Sequence, residues 1–177
     1  MHLLYCRMFK SILYLSLIKE IIMKQINSFS PNEYNDKKEF YKTLQMQLKS
    51  LLENETPLIP NLANASSLLS LALPDINWVG FYLLKNKELI LGPFQGKPAC
   101  IRIPVGKGVC GTAVAQAKTQ LVPDVHAFPG HIACDSESNS EIVIPIFVNN
   151  RIVGVLDIDS PVYNRFDQAD REGLEET

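Results

Sequence analysis

Cys100, Cys110 and Cys134 fall in one glycine-rich stretch, and Glu141, Asp157 and Asp159 follow closely behind them. Thiols beside carboxyls offer redox chemistry, which needs a nucleophilic sulfur and a proton donor in one place. Cys110 falls at the start of an expected helix, where the helix dipole favours thiolate. Cys134 lies between Ala133 and Asp135 in a polar, aperiodic loop, a poor place for a cysteine that only fills space. Cys100 sits with Ile101 and Ile103 in an alternating segment and reads as a strand residue of the core. Two other readings stand beside the redox one. All three cysteines could be buried small hydrophobes. Alternatively, Cys100, Cys110 and Cys134 could join His126 or His131 on zinc, although the chain has no CxxC or HxxxH pair to support that.

The acids have a spacing of their own. Asp157 and Asp159 are two apart at the end of an expected strand, so both carboxyls project from one face while Leu156 and Ile158 take the other. Glu141 begins the partner strand of the same hairpin. Such a set is either a solvated strand end or a carboxylate cluster that binds a cation and shares a proton. In the second case the like charges raise at least one pKa and leave an acid able to donate near neutrality. Trp78 and Tyr82 share a strand face, with Phe81 opposite. They read as core, and as a wall for a thioether methyl if they border the Cys134 loop.

Gly106-Lys107-Gly108-Val109-Cys110-Gly111 matches GxGxxG between a strand and a helix. A dinucleotide site also needs a βαβ unit and an acid at the end of the next strand, whereas here the next strand is very short and the preceding strands form a hairpin meander. The glycines fit better as a tight backbone turn over a small ligand, with helix-start amides facing an anion.

These residues must be held by a modest chain. Its 177 residues suffice for one domain with a real core. Hydrophobic residues make up 46% and charged residues 20%, a globular balance. A net charge of -2 without a basic stripe argues against nucleic acid as a partner. Residues 1–22 form an apolar leader containing Cys6, with Met23 as the candidate true start. A short amphipathic helix and an export signal are the competing readings. The uncharged run Ser11–Ile18 is short for a span, which needs about 20 residues, and Lys19 and Glu20 follow it without a cleavage motif. A cytoplasmic protein is expected, in which cysteines are more often reactive than structural.

The periodicity gives the order of elements. Ser28–Asn35 reads as a linker. Asp36–Glu53 has helical spacing, with an Asp36/Glu39 capping box. Pro57 and Pro60 break the chain before a second helix over Asn61–Leu73. The period then changes to two. Strands are expected over Asn77–Leu84, Glu88–Gly92 and Ala99–Val105, followed by a helix over Thr112–Lys118 and a brief strand over Gln120–Pro123. Asp124–Ser140 is a long loop, the kind that is usually functional. Glu141–Val148 and Arg151–Asp159 form a hairpin around Asn149-Asn150, and a short helix starts at Asp167. The fold class is α+β, a central antiparallel sheet flanked by helices, with residues 23–177 as one domain.

With these residues in place, NWVGFYLL, LGPFQGKPACIRIPVGKGVCGTA, VHAFPGHIACDSESNSEIVIPI and VGVLDIDSP resemble the free methionine-(R)-sulfoxide reductases, which are single GAF domains. The resemblance runs from about residue 30 to the end of the chain. It implies an oxidoreductase that reduces free methionine (R)-sulfoxide, with Cys134 catalytic, Cys100 resolving and Cys110 the additional cysteine. It implies that Trp78, Tyr82, Glu141, Asp157 and Asp159 bind substrate. A Cys134 sulfenic acid would condense with Cys100 to a disulfide. No metal or bound cofactor is implied, only an external dithiol such as thioredoxin, and a homodimer. A free thiol with a pKa of about 8.5 needs activation, so part of the carboxylate charge is expected to be neutralised by substrate ammonium or a shared proton. Most GAF domains are sensors, so a ligand-binding module without turnover is the alternative.

Overall fold

The computed structural model describes residues 36–177 except Ala133; the leader over 1–22 and the linker over 28–35 lie outside the described residues. Helix α1 (Lys37–Leu52) begins where the Asp36 carboxylate accepts the Glu39 amide, the forward half of the expected capping box. It buries Phe40, Tyr41, Leu44 and Leu48 at helical spacing. Helix α2 (Leu58–Ala72) starts earlier than expected. Pro60 lies inside its first turn, where an amide has no carbonyl partner to lose. The proline that read as a breaker is therefore part of the helix.

Six strands form one antiparallel sheet in the order β3-β2-β1-β6-β5-β4. They are β1 (Trp78–Lys85), β2 (Glu88–Gly96), β3 (Arg102–Pro104), β4 (Gln120–Val122), β5 (Ser140–Val148) and β6 (Arg151–Ser160). Helix α3 (Gly108–Gln116) links β3 to β4, and α4 (Gln168–Glu175) ends the chain. Both hairpins turn on two residues in the left-handed region, Asn86-Lys87 and Asn149-Asn150, as the type I′ turn demands. Asp167 and Asp170 close a capping box on α4.

The third strand is the main departure. Only Arg102–Pro104 pairs, against Glu88–Ile90, and Cys100 lies in the loop before it. The carbonyls of Lys97 and Cys100 are taken by the Trp78 Nε1–H and the Tyr82 hydroxyl, at 3.1 and 3.0 Å, which leaves them out of the ladder.

Helix α2 packs on β1 and β2, and α1 on α2 and α4, while α3 packs on the sheet from β3 to β6. The α3 side of the sheet holds a buried cluster of Trp78, Tyr82, Leu89, Ile103, Val109, Cys110, Val143 and Val155. That cluster is the bed on which the candidate site rests. No helix among the described residues is long and apolar enough to cross a membrane.

Candidate active site

Strand register assembles the polar floor. Asp159 pairs with Trp78 on one side and Glu141 on the other. One rung further, Asp157 pairs with Gly80 and Val143. Since alternate residues share a face, Trp78, Tyr82, Glu141, Asp157 and Asp159 all point to the α3 side. Six expected residues thus line one cavity with Cys134: those five and Cys110. Cys100 does not line it, but is bonded to Cys134, which does.

Gly80 was not singled out by sequence reasoning, although a lone glycine inside an apolar strand was the available signal. A Cβ there would stand 2.6 Å from the Trp78 ring. Its absence lets Trp78 lean over the strand and stack with Tyr82 and Phe94, with centroids 5.9 and 5.3 Å apart. The wall expected of Trp78 and Tyr82 is thereby formed beside the Cys134 loop.

The roof is the loop after β4. Cys134 is exposed and joined by a disulfide to half-buried Cys100, with Cα atoms 5.6 Å apart. Residues on either side of the bond are also cross-tied. Lys97 reaches Glu137 at 2.6 Å and Asp135 at 3.5 Å. Asn77 Nδ2 donates to Asp135 and to Ser138 at 3.1 and 3.0 Å. Backbone and side-chain donors, Glu137 N–H first, hold the Asp135 carboxyl below its usual range. His131 also lines the cavity, and burial with His126 nearby pushes its pKa down. His126 faces Asn139 at 3.1 Å.

The floor is electrostatically crowded. Burial pushes Glu141 well up, and the charges of Asp157 and Asp159 add to it. Burial likewise raises Asp157, to about 6, against the opposing pull of hydrogen bonds from Cys110, Glu141 and the Ile158 amide. Asp159, half-buried by surface but enclosed by the cavity, is raised by desolvation and then by Asp157 and Asp135. Burial therefore favours the protonated form at both Glu141 and Asp157. One Asp157 oxygen, Oδ1, is buried without a hydrogen-bond partner.

Cys110 departs from expectation. It does occupy the first turn of α3, but it is fully buried, with Sγ 3.9 Å from Glu141 Oε1. Desolvation, then the charges of Asp157 and Glu141, push its thiol well above the usual range. A helix dipole is worth about 0.3–1 kcal/mol at most surfaces, too little to outweigh burial beside two acids. Cys110 is therefore a thiol and not a poised thiolate. The zinc set named from sequence is not assembled either, because Cys100 and Cys134 are spent in the disulfide. Among the described residues the atoms with metal-ligand spacing are those of Cys110, Glu141 and Asp157, within 4.8 Å of one another.

The glycines behave as turn formers. Gly106 and Gly108 adopt φ of 83° and 58°, a region costly for other residues. Gly111 lets the Pro104 carbonyl lie against the helix start. The turn sets the first residues of α3, Gly108, Val109 and Cys110, along the cavity.

This fold and floor define a GAF domain with a dithiol site, and residues 65–177 match the GAF domain family model. The chain is 58% identical over 139 residues to the free methionine-R-sulfoxide reductase of Escherichia coli, covering 78% of this chain and 84% of that one. The reduced form of fRMsr from Staphylococcus aureus has a similar structure, with TM-score 0.75 and 61% identity over 76% of this chain and 88% of that one. A free methionine-R-sulfoxide reductase from Neisseria meningitidis, solved in complex with its substrate, gives TM-score 0.78 and 47% identity over 84% and 87%. The chain belongs to the free methionine-R-sulfoxide reductase family of GAF domains.

Proposed function

We propose that this protein reduces free methionine (R)-sulfoxide to methionine, with Cys134 as nucleophile and Cys100 as resolving cysteine. The observation that carries this reading is the disulfide itself. It joins a cavity-lining sulfur, above three buried or half-buried acids, to a sulfur outside the cavity.

In the reduced enzyme the Cys134 thiolate attacks the sulfoxide sulfur. The Glu141 carboxyl, whose affinity for a proton is raised by burial and by the neighbouring acids, supplies the proton to the oxygen as it is transferred. Methionine leaves, and Cys134 is a sulfenic acid. The Cys100 thiol attacks that sulfur, water departs, and the disulfide forms. An external dithiol, thioredoxin in our reading, returns both thiols. Cys110, buried and protonated, contributes packing and a weak S–H donor to the acids; no resident metal or cofactor enters the scheme.

The floor also accounts for a free amino acid as substrate. Its ammonium would meet the Asp157 and Asp159 carboxylates and satisfy the orphaned oxygen of Asp157. Its carboxylate would meet the first-turn amides of α3, which have no partner within the helix. A methionine inside a polypeptide has neither charge. In this reading the closed disulfide is the oxidised form, and turnover of sulfoxide starts once it has been reduced.

The test is turnover under dithiothreitol of free methionine (R)-sulfoxide, the S epimer and a peptide-bound sulfoxide. Turnover of the free R epimer alone, lost in Cys134→Ser with binding retained, is the expected result. No turnover of any of the three by fully reduced protein would replace the reductase with a ligand-sensing GAF domain.

A further inference from the structure

Cys110 is the cavity-lining thiol that the reaction leaves without a step. It stands in the first turn of α3, 3% exposed, and meets two acids of the sheet. Glu141, near the start of β5, is 5% exposed, and Asp157, on β6, is 6% exposed. The three residues come from three elements and converge. Cys110 Sγ lies 3.9 Å from Glu141 Oε1, and one donor atom of each residue lies within 4.8 Å of the other two. Burial of polar atoms is unfavourable unless they find partners. Here one does not, since Asp157 Oδ1 is enclosed without a hydrogen bond. Asp159 lines the same cavity and adds a third carboxyl. None of the three acids is in an ion pair among the described residues.

A thiol and two carboxyls at this spacing form a ligand set. Zinc binds cysteine sulfur at about 2.3 Å and carboxylate oxygen at about 2.0–2.2 Å, which puts sulfur and oxygen about 3.6 Å apart in a tetrahedral site. The separation of Cys110 from Glu141 is already close to that. The sulfur selects the metal. Calcium and magnesium take oxygen ligands, whereas thiolate suits zinc and similar softer ions. Three protein ligands leave the fourth position to water. We infer that the cavity floor binds one thiophilic divalent cation, zinc being the type case, through Cys110, Glu141 and Asp157, and that the bound ion blocks turnover.

Binding moves protons and changes no oxidation state. Cys110 gives up its thiol proton, any proton on the two carboxyls leaves with it, and one sulfur and two oxygens bond to the ion. Asp157 gains the cationic partner it lacks. The ion then stands where the substrate ammonium would, and it holds the carboxyl that would give the proton. The binding does not depend on the reductase reading; the block of turnover rests on it.

The first experiment uses the full chain carrying Cys6→Ser, with the Cys100–Cys134 disulfide formed, so that Cys110 is its single free thiol. Cobalt(II) stands in for zinc, because thiolate ligation gives it a charge-transfer absorption. The expected result is that absorption at one cobalt per chain, lost on addition of one equivalent of zinc. Zinc affinity by titration calorimetry should fall at least about tenfold in Cys110→Ala and in Asp157→Asn, since even a supporting group is worth that much to a metal site. Absence of the absorption, or undiminished zinc binding in either variant, overturns the site; the ion would then sit on surface groups such as exposed His126. The second experiment reads the consequence. Reduced enzyme, freed of excess thiol, is given a single turnover of free methionine (R)-sulfoxide with and without zinc. The half-inhibiting zinc concentration should be at least about tenfold higher in Cys110→Ala than in the parent. Equal inhibition of the two would place the ion on Cys134 and Cys100 and overturn the block. Absence of turnover without zinc would sink the reductase reading and the block with it, while the cobalt absorption decides the binding by itself.

Discussion

Among the described residues, carboxylates are buried in two places and treated in opposite ways. Asp170, between α1 and α4, is 1% exposed and fully partnered. Lys37 Nζ lies at 2.6 Å, Arg165 Nη1 at 3.4 Å, the Tyr41 hydroxyl at 2.8 Å and the Asp167 amide at 2.8 Å. Glu141, Asp157 and Asp159 are gathered in the cavity floor, where no salt bridge reaches them among the described residues. The first site surrounds its carboxylate with four donors. The second is desolvated without cationic partners and leaves one oxygen unanswered. Such unresolved polarity costs stability in the empty enzyme and is what a cationic ammonium and a developing oxyanion would relieve. The two groups of carboxylates thus differ in what surrounds them.

The sharpest way to break this contrast is to exchange its consequences. Glu141→Gln removes the proposed proton donor while keeping shape. kcat/KM for free methionine (R)-sulfoxide is expected to fall about 10²–10⁴-fold, and thermal unfolding should occur at the same or a higher temperature. A variant that loses stability and keeps activity would place Glu141 with the structural acids. The counterpart is Asp170→Asn. It strands Arg165, which is 10% exposed, whereas Lys37, 42% exposed, can turn to water. The expected loss is about 3 kcal/mol in urea unfolding, the lower end for a broken buried pair, with kcat per folded molecule unchanged.

Most of the site's parts were legible in the sequence, and most of its energetics were not. The i, i+2 spacing of Asp157 and Asp159 sets both on one face, but the register of the Asn149-Asn150 turn alone would bring Glu141 opposite Ile158. An irregularity between Ile146 and Phe147 shifts the pairing by one residue and stacks Glu141 beside Asp159, and nothing in the alternation announces it. Cys100 was misplaced on a strand because its segment alternates well. What the alternation does not reveal is that ring donors from Trp78 and Tyr82 capture the neighbouring carbonyls. Cys110 stands at a helix start as the sequence indicates, while its burial beside Glu141 is a tertiary fact the sequence does not show. Gly80 passed unnoticed because its role is space for an indole two residues away.

A smaller effect tests the sign of the floor's contribution to stability. Asp157 titrates at about 6 when folded against a usual 3.8. Between those values the folded state binds more protons than the unfolded state, so stability is greatest below about 4 and falls as pH rises through 6. The shift corresponds to at most about 3 kcal/mol. Asp157→Asn should therefore be more stable than the parent at pH 8, by up to that amount, and nearly equal to it at pH 4, as read by urea unfolding at both. An equal difference at the two pH values would show that the carboxyl is not held against its charge.

The finest distinction lies between two buried tyrosines. Burial is the main cause that raises both hydroxyls, followed by Asp170 for Tyr41 and Asp157 for Tyr82. Tyr41 donates to a carboxylate, and Tyr82 to the carbonyl of Cys100. A hydrogen bond to a charged group contributes about 1.5–3 kcal/mol, and one between neutral groups about 0.5–1.5 kcal/mol. Tyr41→Phe should accordingly destabilise more than Tyr82→Phe in the same unfolding assay. Turnover should rank them the other way. Only Tyr82 fixes the segment that carries Cys100, so only Tyr82→Phe should slow the closing of the disulfide after a single turnover, measured as thiol loss following rapid quench. If Tyr41→Phe slowed that step equally, the two carboxylate sites would be coupled through the sheet, and the division between a holding region and a reacting region would fail.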